Sequence, residues 1–258
     1  MSKIGDKGLF TRELEQALSA GEIDFAVHSL KDMPGDMPEG LCIGAVCRRE
    51  EPRDVLVSRG ISFWDLPQGA FLGTSSLRRS AQLLFARPDL RIAPLRGNIE
   101  TRLRKLEREG FDAIVLAAAG VIRLGLQSAI TEFLSGDICL SAVGQGAVAV
   151  ECRTKDERVL KVLEAVDDSP TRLATTAERV LMRELGGGCQ VPVAALARLE
   201  ENSLVMDALV ARLDGSEVIR VKGDVKGTDE HHARELGVRM ALDLKERGAE
   251  EILGLCRG

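Results

Sequence analysis

A chain of 258 residues, 45% hydrophobic and 29% charged, is long enough to bury a core in one or two domains or several small ones, and its composition excludes disorder. No apolar run approaches the roughly 20 residues of a spanning helix. Met1 leads into Ser-Lys-Ile-Gly-Asp-Lys and not into a signal peptide, so the cytoplasm is the expected location, with no membrane partner. A net charge of −5, 3% aromatic residues and no tyrosine remove the bulk electrostatic and base-stacking cases for nucleic acid.

In chain order, residues 1–10 hold Lys3, Gly5, Lys7 and Gly8 and read as a flexible basic loop. A helix follows over 11–20, with Leu14, Ala17 and Leu18 at helical spacing and Gly21 at its C-terminal cap. Ile23, Phe25, Ala26 and Val27 read as a mostly buried strand. Pro34 stops it and pushes Met33 out of the α region, so His28 to Asp32 are expected at an extended strand end. After a second apolar run at 41–46, the polar residues 48–54 suit a hinge. From 55 to 140, short apolar runs (55–57, 70–72, 92–95, 113–117) alternate with helices at 76–86 and 99–109, the pattern of βαβ units and a largely parallel sheet. A glycine turn at 142–147 leads to a strand, and 157–166 is helical. Ser169-Pro170 reads as an N-cap followed by an N1 proline. Gly186 to Gly188 end that helix, and strands at 191–196, 204–213 and 218–225 precede helices at 229–247 and 250–255.

Three clusters carry possible chemistry. Asp32, flanked by Ser29 and Lys31 after a strand, suits proton handling, or is a solvated turn former. Thr74, Ser75, Arg78 and Arg79 gather at a helix start, Arg96 follows the next strand with Arg102 in the first turn after it, and Arg123 follows the strand at 113–117. Cations oppose the dipole at a helix N-terminus, and the guanidinium fork pairs with carboxylate or phosphate, so these arginines either bind an acidic ligand or pair with neighbouring acids. Cys189 lies in Gly-Gly-Gly-Cys-Gln-Val-Pro, an uncrowded setting for a nucleophile or attachment point, or for a small apolar filler. The six cysteines (Cys42, Cys47, Cys139, Cys152, Cys189 and Cys256) include no C-x-x-C pair and histidines number three, which speaks against a metal site and a disulfide framework.

Lys7-Gly-Leu-Phe10, Ala26-Val-His-Ser-Leu-Lys-Asp-Met-Pro34, Glu51-Pro-Arg-Asp54, Gly73-Thr-Ser-Ser-Leu-Arg-Arg79, Leu95-Arg-Gly-Asn98, Ala142-Val-Gly-Gln-Gly-Ala147 and Gly187-Gly-Cys-Gln-Val-Pro192 stand in one order and spacing. Together they resemble the porphobilinogen deaminase (hydroxymethylbilane synthase) family across essentially the whole chain. The resemblance implies a transferase of haem and porphyrin biosynthesis. It condenses four porphobilinogen molecules into a linear tetrapyrrole, with loss of ammonia, on a dipyrromethane primer held by a thioether. Cys189 matches the attachment cysteine and Asp32 the catalytic carboxylate, which stabilises the cationic azafulvene and shuttles protons. Ser29, Lys31, Thr74, Ser75, Arg78, Arg79 and Arg102 match cofactor-binding positions; Arg96, Arg123, Lys3 and Phe10 match substrate-binding ones.

The implied fold is α/β in three domains, the first two resembling periplasmic binding proteins with the active-site cleft between them. Domain 1 is expected over 1–48 and 144–165, domain 2 over 51–141, and a smaller α/β domain 3, carrying the cofactor cysteine, over 169–258. A monomer is expected. Family members usually begin roughly fifty residues earlier, with a strand internal to the domain 1 sheet. The alternative reading is a truncated, catalytically impaired relic that only binds polycarboxylate pyrroles.

Overall fold

A computed structural model of the chain describes residues 7–186 and 191–256, with side chains from Thr11 onward. Helix α1 spans Lys7–Ala20, so the expected loop gives way to helix from Lys7. Gly8, one of the loop signals, falls in the first turn, where its N–H has no intrahelical partner to lose. Gly21, at φ 74°, ends the helix as its position predicts, with Glu22 N–H donating to Ala17 O at 2.9 Å. Strands β1 (Phe25–Ser29) and β2 (Leu41–Val46) follow.

The chain then crosses into a second unit of β3 (Asp54–Ser58), β4 (Phe71–Gly73), α2 (Leu77–Ala86), β5 (Arg91–Ala93), α3 (Ile99–Arg108), β6 (Ala113–Ala117), α4 (Ala118–Arg123) and β7 (Glu132–Phe133). Its sheet runs β5-β4-β6-β3-β7. β5, β4 and β6 are parallel, as the alternating pattern predicts, but β3 is antiparallel to both β6 and β7. The reason is the β3–β4 link, which holds turns and no crossover helix, so the chain reverses there. β3 is apolar on both faces because both are covered: Leu56 packs with Leu83 of α2, and Val55 and Val57 pack with Leu106 of α3.

Returning, the chain forms β8 (Val148–Arg153) and α5 (Glu157–Leu163). β8 inserts between β1 and β2, antiparallel to each. Leu18 of α1 packs on Ala26 and Leu41 on one face, and Val159 and Leu163 of α5 pack on Ala45, Val150 and Cys152 on the other. β1 is less buried than its apolar run predicts: Phe25 is 48% and Val27 59% exposed. β1 and β2 are the outer strands of this sheet among the described residues, but the α5 side chains lie over β2 and β8 and leave that face of β1 uncovered.

The first crossing segment, which reads as a hinge, is paired by backbone to the return segment. Cys47 N–H donates to Val148 O at 2.9 Å and Glu50 N–H to Gly146 O at 3.1 Å. Gly146 has φ 88°, and a Cβ there would sit 2.4 Å from Glu50 O, so this approach requires glycine.

A third unit comprises α6 (Ser169–Glu184), the antiparallel meander β9 (Val193–Glu200), β10 (Ser203–Ala211) and β11 (Val218–Lys226), then α7 (Glu230–Glu246) and α8 (Ala249–Leu255). The N-cap of α6 is Asp168, one residue before the predicted Ser169: its carboxylate accepts from Thr171 N–H at 3.0 Å. Helices cover one sheet face, and Leu209, Ala211 and Ala194 on the other meet Ala81 and Leu140 of the second unit. Among the described residues no helix is long and apolar enough to cross a membrane.

Candidate active site

The turn after β1 places the first candidates. Leu30, 1% exposed, donates its N–H to Ala147 O at 3.0 Å and fixes Leu30–Asp32 as a 3-10 turn, so the expected extended conformation holds only through Ser29. Met33 is extended, as Pro34 demands. The turn lifts Lys31 and Asp32 off a buried base of Leu30 and Met33. Lys31 Nζ donates to Gln145 Oε1 at 3.3 Å. Burial first, then the nearby Arg79 and Arg78, lower its pKa to about 8 against the opposing pull of Asp54 and Asp32. Ser29 caps the turn without a side-chain hydrogen bond.

The second cluster forms where β3, α2 and the return crossing meet. Asp54, 0% exposed, opens β3. Its Oδ2 accepts from Arg78 Nη2 at 2.7 Å and from the Cys139 thiol at 3.3 Å. Its Oδ1 accepts from Arg79 Nη2 at 2.7 Å and Nε at 3.1 Å, and from Gln145 Nε2 at 2.9 Å. Burial alone would raise this carboxyl, but the two guanidinium groups outweigh it and hold it well below the usual carboxylate range. Burial and Asp54 together push the Cys139 thiol up to about 12. Arg78 Nη1 also donates to Cys139 Sγ at 3.5 Å and to Leu140 O, and Arg79 Nη1 to Val115 O at 3.0 Å. Both arginines, expected to face ligand, are therefore anchored from behind by one buried acid. Asp54 is not among the candidates drawn from the sequence. An acid at the head of a wholly apolar strand is its signal, because a buried carboxylate requires cationic partners.

Around that acid the other candidates converge unevenly. Ser75 Oγ donates to Leu95 O at 3.0 Å and accepts from Leu95 N–H at 2.9 Å, tying the ends of β4 and β5 together, while Ser76 caps α2 and the buried Thr74 accepts from Ser76 N–H at 3.2 Å. Arg102 Nε donates to Gly97 O at 2.7 Å; burial and then Arg79 lower its pKa, which places it in the same cationic field. Arg123 Nη2 reaches Gly146 O at 3.0 Å, joining the second unit to the crossing. Arg96 is exposed at the end of β5. Lys3, Cys189 and the side chain of Phe10 lie outside the described residues.

Gln145 joins the two clusters, accepting from Lys31 and donating to Asp54, so Lys31 stands beside two guanidinium groups that share one carboxylate. The net positive charge suits a ligand bearing several acidic groups. The arrangement defines a class: a three-unit α/β protein with a carboxylate, Asp32, beside a buried cationic cluster.

Comparison with known proteins gives the particular family. The model described as porphobilinogen deaminase, dipyromethane cofactor binding domain, matches residues 1–161, and the porphobilinogen deaminase C-terminal domain matches 172–246. Porphobilinogen deaminase from Pelotomaculum thermopropionicum is 56% identical over 256 residues, which is 99% of this chain and 81% of the relative. That from Desulforudis audaxviator is 54% identical over 258 residues, 100% of this chain and 82% of the relative. Among solved structures, the substrate binding protein of an amino acid ABC transporter aligns with TM-score 0.35 and 17% identity, over 64% of this chain and 70% of that one, a likeness too weak to bear on function. The chain belongs to the porphobilinogen deaminase family.

Proposed function

We propose that this transferase joins porphobilinogen units into hydroxymethylbilane, with release of ammonia, around the cluster of Lys31, Asp32 and the arginines. The observation that carries the reading is the chain of contacts beside Asp32: its neighbour Lys31 donates to Gln145, and Gln145 donates to the same Asp54 that holds Arg78 and Arg79. A dipyrromethane cofactor fits that donor set, since its acetate and propionate groups would complete the charge balance. When bound, it supplies the pyrrole to which the first substrate is joined.

The chain's own residues divide the work. Arg78 and Arg79, held by Asp54, together with Lys31, Arg102, Thr74, Ser75 and Ser29, orient cofactor carboxylates. Arg96 and Arg123, with Lys3 and Phe10, receive substrate carboxylates. Asp32 lies beside the positive charge that develops as ammonia leaves, and takes up the pyrrole proton afterwards. Cys189 provides the thioether sulfur. The domains fall at 1–48 with 144–165, 51–141 and 169–258, and the protein acts as a cytoplasmic monomer, a state that light scattering at one chain mass would support.

The test is Asp32→Asn. We expect unchanged cofactor mass on the intact protein and turnover reduced about a hundredfold or more. Near-normal turnover would remove Asp32 from the chemistry.

A further inference from the structure

Cys42 and Cys152 have no part in the site above, yet they are directly opposed across the β2–β8 ladder, with Sγ atoms 3.9 Å apart. We propose that this pair is an oxidative modification site, closing to a cross-strand disulfide with hydrogen peroxide or a related two-electron oxidant and reopening with thiols.

Three features of the geometry converge. Directly opposed residues in an antiparallel pair hold their Cα atoms about 4.5–5.5 Å apart, inside the span of about 4.4–6.8 Å that a disulfide bridges. The strand register shifts between Ile43 and Ala45, and the residue between them is Gly44. A Cβ on Gly44 would sit 2.6 Å from Cys152 Sγ, so the irregularity and the missing side chain clear the space that sulfur occupies. The two thiols also differ in access: Cys152 is fully buried, whereas Cys42 is half-buried. Cys139 and Cys256 have different surroundings, donating to Asp54 and to Ile252 O, while Cys47 packs in the same apolar cluster as the pair.

The chemistry follows this asymmetry. The Cys42 thiol attacks peroxide, giving a sulfenic acid and one water. The Cys152 sulfur then displaces the hydroxyl from the Cys42 sulfur, forming the S–S bond and releasing a second water; two thiols lose two electrons and one peroxide gains them. Burial, reinforced by Cys42, raises the Cys152 thiol to about 12, so the second step quickens as pH rises. The bond would close a loop of 110 residues containing the entire second unit. It would also staple the two strands that feed the crossings.

The experiment treats the purified full chain with a few equivalents of hydrogen peroxide, alkylates it in denaturant and runs it without reductant. A loop of this size makes the denatured chain more compact, so we expect a faster-migrating band, reversed by dithiothreitol. Peptide mapping should link the Cys42 and Cys152 peptides with loss of two hydrogens. The band should vanish in Cys42→Ser and persist in Cys47→Ser. Alkylation of both thiols after treatment, a Cys42 sulfinic acid without cross-link, or a Cys47–Cys152 link would each overturn the proposal.

Discussion

Arg49 and Glu178 form a two-pronged ion pair, Nη1 to Oε1 at 2.6 Å and Nη2 to Oε2 at 3.2 Å, where the first crossing meets α6. Glu178 is fully buried and also accepts from Gly144 N–H at 2.7 Å and Ala197 N–H at 2.8 Å, while Arg49 Nε donates to Gln145 O at 2.8 Å. One carboxylate thus binds the crossing, the return segment and the third unit, next to the residue that holds Lys31. Replacing Arg49 with alanine leaves a buried charge without its partner. Arg49→Ala should lose about 3–5 kcal/mol in urea unfolding; a loss below about 1 kcal/mol would show that the pair is not the clamp.

Asp54→Asn tests the anchor of Arg78 and Arg79. At neutral pH it should destabilise the fold by about 3–5 kcal/mol, for two buried guanidinium groups lose their counter-charge. The sign with pH follows from the depressed carboxyl: its contribution is full above the unfolded value near 4 and is lost as pH falls towards the lower folded value. The gap between wild type and variant should therefore shrink in acid. A constant gap from pH 7 to pH 2 would contradict the ionic account.

Lys31 should give the site a pH dependence in the alkaline range. With a pKa near 8 it is largely charged at pH 7 and largely neutral at pH 9, so its hold on the cofactor carboxylates, and turnover with it, should fall as pH rises through about 8. Initial rates of the intact, cofactor-bearing protein at several pH values check this. In Lys31→Met the step should disappear; its persistence would assign the titration to another group.

Two glycines with similar backbone conformations should respond differently to alanine. Gly21, at φ 74° with nothing near an added Cβ, should lose only the left-handed penalty of about 1–2 kcal/mol. Gly146→Ala adds a collision with Glu50 O and should lose about 3 kcal/mol or more. Equal losses in thermal unfolding would mean that the crossing yields freely.

Local order was largely legible in the chain. β6 ends where its apolar run ends, and α6 starts within one residue of its proline signal, because short-range sterics and capping govern both. What escaped was long-range. β3 reads as an ordinary buried strand, yet its direction depends on a turn-only link that composition does not distinguish from a crossover. Asp54 looks like the polar end of a loop until Arg78 and Arg79 arrive from 24 and 25 positions later. The partner of Arg49 is 129 residues away, beyond any periodicity. At the site, residue types left open whether the arginines meet an acidic ligand or neighbouring acids, and gave no sign that Arg78 and Arg79 are braced by Asp54 while Arg96 stands in solvent.

The insertion of β8 between β1 and β2 has a consequence for how the molecule is assembled. His28 meets its ladder partner Ala149, and Leu41 meets Arg153, only after the whole second unit has been synthesised. The second sheet is closed by contacts within residues 54–133 and can form as the chain emerges, whereas the first must keep two strands waiting for a third. The turn bearing Lys31 and Asp32 is thus made early but fixed in place late, when Ala147 arrives to receive the N–H of Leu30.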